Sequence, residues 1–215
     1  MTAPTPPSTP PTPRASSWSF RGRIARRGPG PASTANVANI VTVVRILLAP
    51  VFVTMLLVDD GAGGPVRVAA AVLFVVSILT DSLDGALARG LDLVTDFGKL
   101  VDPIADKVLV GAALVGLSVL GELPWWVTGL VLLREVGITV YRFAVLRDRV
   151  IPASRGGKAK TLLQGVAVSV ALFPLWNLFG DGVHVVNTVL MTLAVVATVA
   201  SGLDYLRVAV AAGRR

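Results

Sequence analysis

From residue 37 to residue 208 the sequence is a succession of six apolar runs, at about 37–58, 66–88, 98–120, 124–146, 159–179 and 183–208. Each is close to the roughly 20 residues that cross a hydrocarbon layer as a helix. Breaks rich in Gly and Pro separate them: DDGAGGP, GELP, RGGK and GDG. In lipid a backbone must satisfy its own hydrogen bonds, so runs of this length are helices. The expected fold class is therefore an all-α integral membrane protein with six transmembrane helices. Composition supports this. The chain is 53% hydrophobic and only 15% charged, where a soluble domain carries about 25% charge. Its mean hydropathy is +0.73. An ordinary soluble globule, a disordered chain and a coiled coil are excluded. There is no cysteine, which excludes a disulfide framework, a zinc–thiolate site and thiol chemistry.

The charges orient the helices. The breaks after the first, third and fifth runs hold Asp59, Asp60, Glu122 and Asp181, and Arg67 is the sole base near them. The opposite ends hold Arg89, the basic stretch from Arg147 to Lys160, Arg207, Arg214 and Arg215. The positive-inside rule places the basic side, with both termini, in the cytoplasm of a multi-pass cell-membrane protein. Trp125 and Trp126 then belong to the outer interface. Residues 1–35 form a separate region: MTAPTPPSTPPTP is low-complexity sequence, followed by Arg14, Arg21, Arg23, Arg26 and Arg27. It is expected to be a disordered cytoplasmic tail, with no cleaved signal peptide, and 36–215 to be the folded domain. The net charge of +7 points to anionic membrane lipids as partners rather than nucleic acid.

Charges inside a spanning helix are costly and mark function. The second run ends SILTDSLDGALARG and the third begins DFGKLVDPIADK. At 100° per residue Ser77, Asp81, Asp84, Gly85 and Ala88 share one helical face. Gly98, Asp102 and Asp106 share another, which Thr95 joins if the helix starts that early. Two antiparallel helices would gather four carboxylates near the cytoplasmic surface, where their repulsion is strong. A divalent cation relieves it. An all-oxygen set suits Mg²⁺ or Mn²⁺, and four shared carboxylates suit two ions, which can clamp a diphosphate and an attacking oxygen. Gly85 and Ala88 leave room for a ligand, and Arg89 can pair with a phosphate.

These residues resemble the complete signature of the CDP-alcohol phosphotransferases, D-x2-D-G-x2-A-R-x8-G-x3-D-x3-D. Its fixed positions are filled by Asp81, Asp84, Gly85, Ala88, Arg89, Gly98, Asp102 and Asp106. The resemblance implies six transmembrane helices around a cytoplasm-facing active-site cavity and two divalent metals held by Asp81, Asp84, Asp102 and Asp106. It also implies Asp106 as general base on the acceptor hydroxyl, and a cytidine-nucleotide pocket lined by Gly85, Ala88, Arg89 and Thr95. Asn36, Asn39, Thr42 and Arg45 recur every three residues in the first run, matching the family's N-x2-T-x2-R pattern beside the nucleotide. Ala38 stands where many relatives have Pro. Asn39 and Thr42 thereby join the nucleotide-binding candidates. The resemblance carries a homodimer as well.

The signature fixes the donor, a CDP-linked lipid or alcohol, and leaves the acceptor open. The fourth run contains Arg134, Glu135 and Arg142, and the next stretch reads PASRGGKAKT with Arg155, Lys158 and Lys160. Arg134 and Glu135 can neutralise one another. Arg142, Lys158 and Lys160 make a basic pocket suited to an acceptor that is itself a phosphate ester. With the D-P-I-A-D-K form of the signature, these patterns are similar to the phosphatidylglycerophosphate synthase branch. That resemblance implies CDP-diacylglycerol and sn-glycerol 3-phosphate as substrates. Inositol phosphate or phosphatidylglycerol as acceptor satisfies the same signature. Outside the family, six helices with buried acids also suit a cation transporter, although here the acids crowd one edge and no helix is visibly broken. The sole His184 falls in an outer turn and receives no role.

Overall fold

The computed structural model describes the backbone of residues 37–90, 96–145 and 155–213, together with most of their side chains. The expected tail at 1–35 and Thr95 lie outside the described residues. So do the side chains of Asp84, Gly85, Ala88, Arg89, Asp102, Asp106, Arg142 and Lys158.

Among the described residues the secondary structure is entirely helical. The helices are α1 (Val37–Asp59), α2 (Pro65–Gly90), α3 (Asp96–Val119), α4 (Trp125–Val145), α5 (Arg155–Leu172), α6 (Trp176–Phe179) and α7 (Gly182–Gly213). Two stretches, Asn39–Asp59 and Gly182–Arg207, are long and apolar enough to cross a membrane by length and composition. At 1.5 Å per residue, the 23 residues of α1 reach about 35 Å, against a hydrocarbon core of about 30 Å.

One expected run is divided. The stretch at 159–179 was expected to be a single helix. It is instead α5, ending at Leu172, then a bend, then the short α6. The sequence stays apolar through the bend, but Pro174 has no N–H and its ring clashes with the preceding turn.

Apolar side chains from α1 to α5, with Met191 and Ala194 of α7, close the interior. Phe52 and Leu56 of α1, Phe74 of α2, Leu109, Leu114 and Leu117 of α3, Val131 of α4, and Val168 and Leu172 of α5 are all buried. Phe52 and Phe74 meet with ring centroids 5.8 Å apart. Close helix approach depends on glycine. A Cβ on Gly116 of α3 would stand 2.5 Å from Leu56 Cδ2, and one on Gly111 would stand 3.1 Å from Leu132 Cδ2.

The turns that the charge pattern assigned to one side do meet at one end. Asp59 accepts from the backbone N–H groups of Gly63 at 3.0 Å and Gly64 at 2.9 Å. Asn177 Nδ2 donates to Gly63 O at 3.0 Å. Arg67 is fully buried. It donates to Leu172 O at 2.8 Å, to Ala171 O at 3.2 Å and to both carboxylate oxygens of Glu122. The last carbonyls of a helix have no intrahelical donor, so one guanidinium completes the end of α5 and ties the α3–α4 turn to it. The Trp176 ring lies against Arg67 and stacks on His184. A cavity of about 460 Å³ opens here, lined in part by Gly61, Glu122, Trp176, His184 and Asn187.

Candidate active site

The polar stripe of α1 turns inward. Asn39, Thr42 and Arg45 are buried, whereas Ile40, Val43 and Val44 between them, and Leu47 just after, are exposed. A three-residue period keeps side chains near one face of a helix over two turns. That face meets α2, where the Arg45 guanidinium donates to Asp81 Oδ1. Ser77, one turn before Asp81, is buried and donates to Leu73 O at 2.7 Å.

Both halves of the aspartate pattern lie on helix. Asp81, Asp84, Gly85, Ala88 and Arg89 fall in the last turns of α2, and Gly98, Asp102 and Asp106 in the first turns of α3. Asp102 and Asp106 are therefore one helical turn apart along the backbone. Asp81 is the aspartate of the four whose side chain is described. It is 38% exposed and fixed by Arg45. Its partial exposure and its oxygen donors fit a hard divalent cation, which takes carboxylate ligands and retains water.

A second polar cluster meets α3 at Lys107, near the middle of that helix. The Glu135 carboxylate of α4, about 10% exposed, receives three cations. Lys107 Nζ of α3 donates to Oε2 at 2.6 Å, Arg134 Nη1 donates to Oε1 at 2.7 Å, and Lys160 Nζ of α5 also donates to Oε1. Arg134 Nη2 reaches Ser201 Oγ of α7 at 2.9 Å. One carboxylate thus links α3, α4, α5 and α7. Lys107 directly follows Asp106 in sequence, which sets this cluster against the second half of the aspartate pattern.

Lys160 is on helix α5 and 3% exposed. The sequence grouped it with Lys158 and Arg142 as a basic pocket; its described partner is Glu135. Arg134 and Glu135 pair as expected, yet Glu135 also serves two lysines. Lys107 and Gln164 escaped the sequence reading. Gln164 stands four residues after Lys160, on the same helical face, and that spacing was the available signal. A small cavity of about 70 Å³ lies among these side chains.

The profile of the CDP-alcohol phosphatidyltransferase family matches residues 35–200, from the start of α1 into α7. The chain belongs to this family. It is a transferase, and membership sets aside the cation-transporter reading. The chain is similar to a probable phosphatidylglycerophosphate synthase of Mycobacterium tuberculosis (strain ATCC 25618 / H37Rv). The two are 48% identical over 184 residues, covering 86% of this chain and 84% of the relative. It is also similar to the CDP-diacylglycerol–glycerol-3-phosphate 3-phosphatidyltransferase of Bacillus subtilis (strain 168), at 38% identity over 181 residues, 79% of this chain and 93% of that one. An enzyme of the same name in Rickettsia typhi (strain ATCC VR-144 / Wilmington) is 34% identical over 179 residues, 80% of this chain and 96% of the relative.

Proposed function

We propose that this chain transfers the phosphatidyl group of CDP-diacylglycerol to sn-glycerol 3-phosphate, giving phosphatidylglycerophosphate and CMP. The carrying observation is the unbroken aspartate signature on α2 and α3 in a chain 48% identical to a relative named for this product. We read the domain at 36–215 as six spans, with α5 and α6 together forming the fifth, and with both termini, the tail and the active site cytoplasmic. Substrates then come from the cytoplasm and the membrane, and the protein works among lipids, as a monomer or a homodimer.

Asp81, Asp84, Asp102 and Asp106 would hold Mg²⁺ or Mn²⁺, two ions for four carboxylates. When bound, they neutralise diphosphate charge and stabilise the leaving CMP. Arg45 fixes the orientation of Asp81. Asn39, Thr42, Gly85, Ala88, Arg89 and Thr95 bind the cytidine nucleotide. Asp106 accepts the proton of the acceptor hydroxyl as its oxygen attacks the lipid-linked phosphorus. Arg142, Lys158 and Lys160 hold the acceptor phosphate, and Glu135 keeps Lys160 in place until that phosphate arrives.

The test is a radiolabel transfer assay on purified protein. CDP-diacylglycerol is offered with glycerol 3-phosphate, inositol phosphate, serine or phosphatidylglycerol in parallel. The reading expects lipid product with glycerol 3-phosphate well above the rest. Faster transfer to any other acceptor moves the chain to a different branch of the family.

A further inference from the structure

The cavity beside Glu135 is bounded by Ile78 of α2, Lys107 and Gly111 of α3, Glu135 of α4, and Lys160 and Gln164 of α5. Its charged rim and its buried amide make different demands. At the rim, Lys107 and Lys160 share the Glu135 carboxylate with Arg134, which stands outside the lining, and no other carboxylate pairs with these cations among the described residues. The excess of positive charge in a low-dielectric interior favours an anion. Beside them Gln164 is 5% exposed, and its Oε1 has no hydrogen-bond partner among the described residues. A buried acceptor left without a donor is destabilising. Lys160 and Gln164 are one turn apart on α5, about 6 Å of rise. One small ligand can therefore meet both, its anionic end at Lys160 and a hydrogen-bond donor at Gln164. The positive rim disfavours an amine as that donor and suits an uncharged one such as a hydroxyl.

We propose that Gln164 determines acceptor specificity, its Oε1 taking a hydrogen bond from the acceptor hydroxyl that does not react. This rests on the glycerol 3-phosphate reading above and adds a residue to it. The attacking hydroxyl must meet Asp106, so Gln164 serves the middle hydroxyl of the three-carbon chain. An acceptor lacking that hydroxyl leaves the amide oxygen buried and unpaired, and a site built to bind a hydroxyl rejects such an analogue.

The experiment compares sn-glycerol 3-phosphate with 3-hydroxypropyl phosphate, which lacks only the middle hydroxyl, in wild type and in Gln164→Met. Methionine keeps the length and packing of glutamine without its acceptor. Wild type is expected to prefer glycerol 3-phosphate by about ten- to hundred-fold in kcat/KM. In Gln164→Met that ratio should fall to within about threefold of unity, through loss toward glycerol 3-phosphate. The KM for CDP-diacylglycerol should stay at its wild-type value. A purely structural or water-binding role predicts an unchanged ratio, or equal losses for both acceptors, and either result overturns the proposal. A wild-type ratio near one overturns it whether or not the variant folds. Wild-type protein that transfers to neither acceptor overturns the glycerol 3-phosphate reading and this assignment with it. A wild type that uses glycerol 3-phosphate while Gln164→Met keeps its ratio overturns Gln164 alone.

Discussion

Glu135 shows how much one side chain can organise. Its carboxylate is the shared partner of Lys107, Arg134 and Lys160. Removing it leaves three cations close together in a buried place. Glu135→Ala should therefore lower stability by about 3–5 kcal/mol, the usual cost of breaking a buried pair from one side. The check is thermal unfolding of the detergent-solubilised protein. An unfolding temperature within a degree of wild type would show that the cluster is not structural. Asp106→Asn is different in kind: it should fold normally and bind CDP-diacylglycerol, yet lose about 10²–10⁴-fold in turnover. Near-normal turnover would reject Asp106 as the base. At this scale the sequence was partly legible. Asn39, Thr42 and Arg45 announce a face because three-residue spacing is a property of a single helix. The partners of Glu135 come from α3, α4 and α5, and no local period records such a meeting. Lys160 for that reason read as part of a basic pocket with Arg142 and Lys158, without its Glu135 partner.

Among the elements, apolar length and Gly/Pro breaks were enough to mark the long helices, since each is a local property of the chain. The interruption between α5 and α6 is the exception. Hydropathy continues across it, and the bend comes from Pro174. Arg67 then matters to two elements at once, holding the end of α5 and the carboxylate of Glu122. It lies at the opposite end of the bundle from the aspartates. Arg67→Ala should cost about 3–5 kcal/mol in stability while the protein that does fold retains its turnover per molecule. Unfolding midpoint and active-site-normalised rate, measured together, separate these effects. A parallel fall in both would tie the far end to catalysis. Gly116 makes a related point about helix contact. Gly116→Val forces a side chain onto Leu56, which is itself fully buried. Overpacking of this kind costs about 1–3 kcal/mol, to be read as a lower unfolding temperature.

For the molecule as a whole, one end is knitted by Arg67, Glu122, Asp59 and Asn177, and the other carries the aspartates and the Glu135 cluster. The positive-inside rule assigns the first end to the outside and the second to the cytoplasm. Because the chain has no cysteine, single-cysteine labelling tests this cleanly. Ala62→Cys should react with an impermeant maleimide in intact cells, and Ser154→Cys only after permeabilisation. The reverse pattern would invert the topology. The claim on which the whole reading depends is chemical, and one measurement addresses it most directly. Purified protein in liposomes containing CDP-diacylglycerol is assayed for CMP release and lipid product, with and without glycerol 3-phosphate, before and after exhaustive chelation. The expected result is CMP and phosphatidylglycerophosphate in equal amounts, only when glycerol 3-phosphate is present, with loss of both on chelation and recovery on adding Mg²⁺ or Mn²⁺. CMP release that ignores glycerol 3-phosphate, or turnover that persists without a divalent cation, would contradict it.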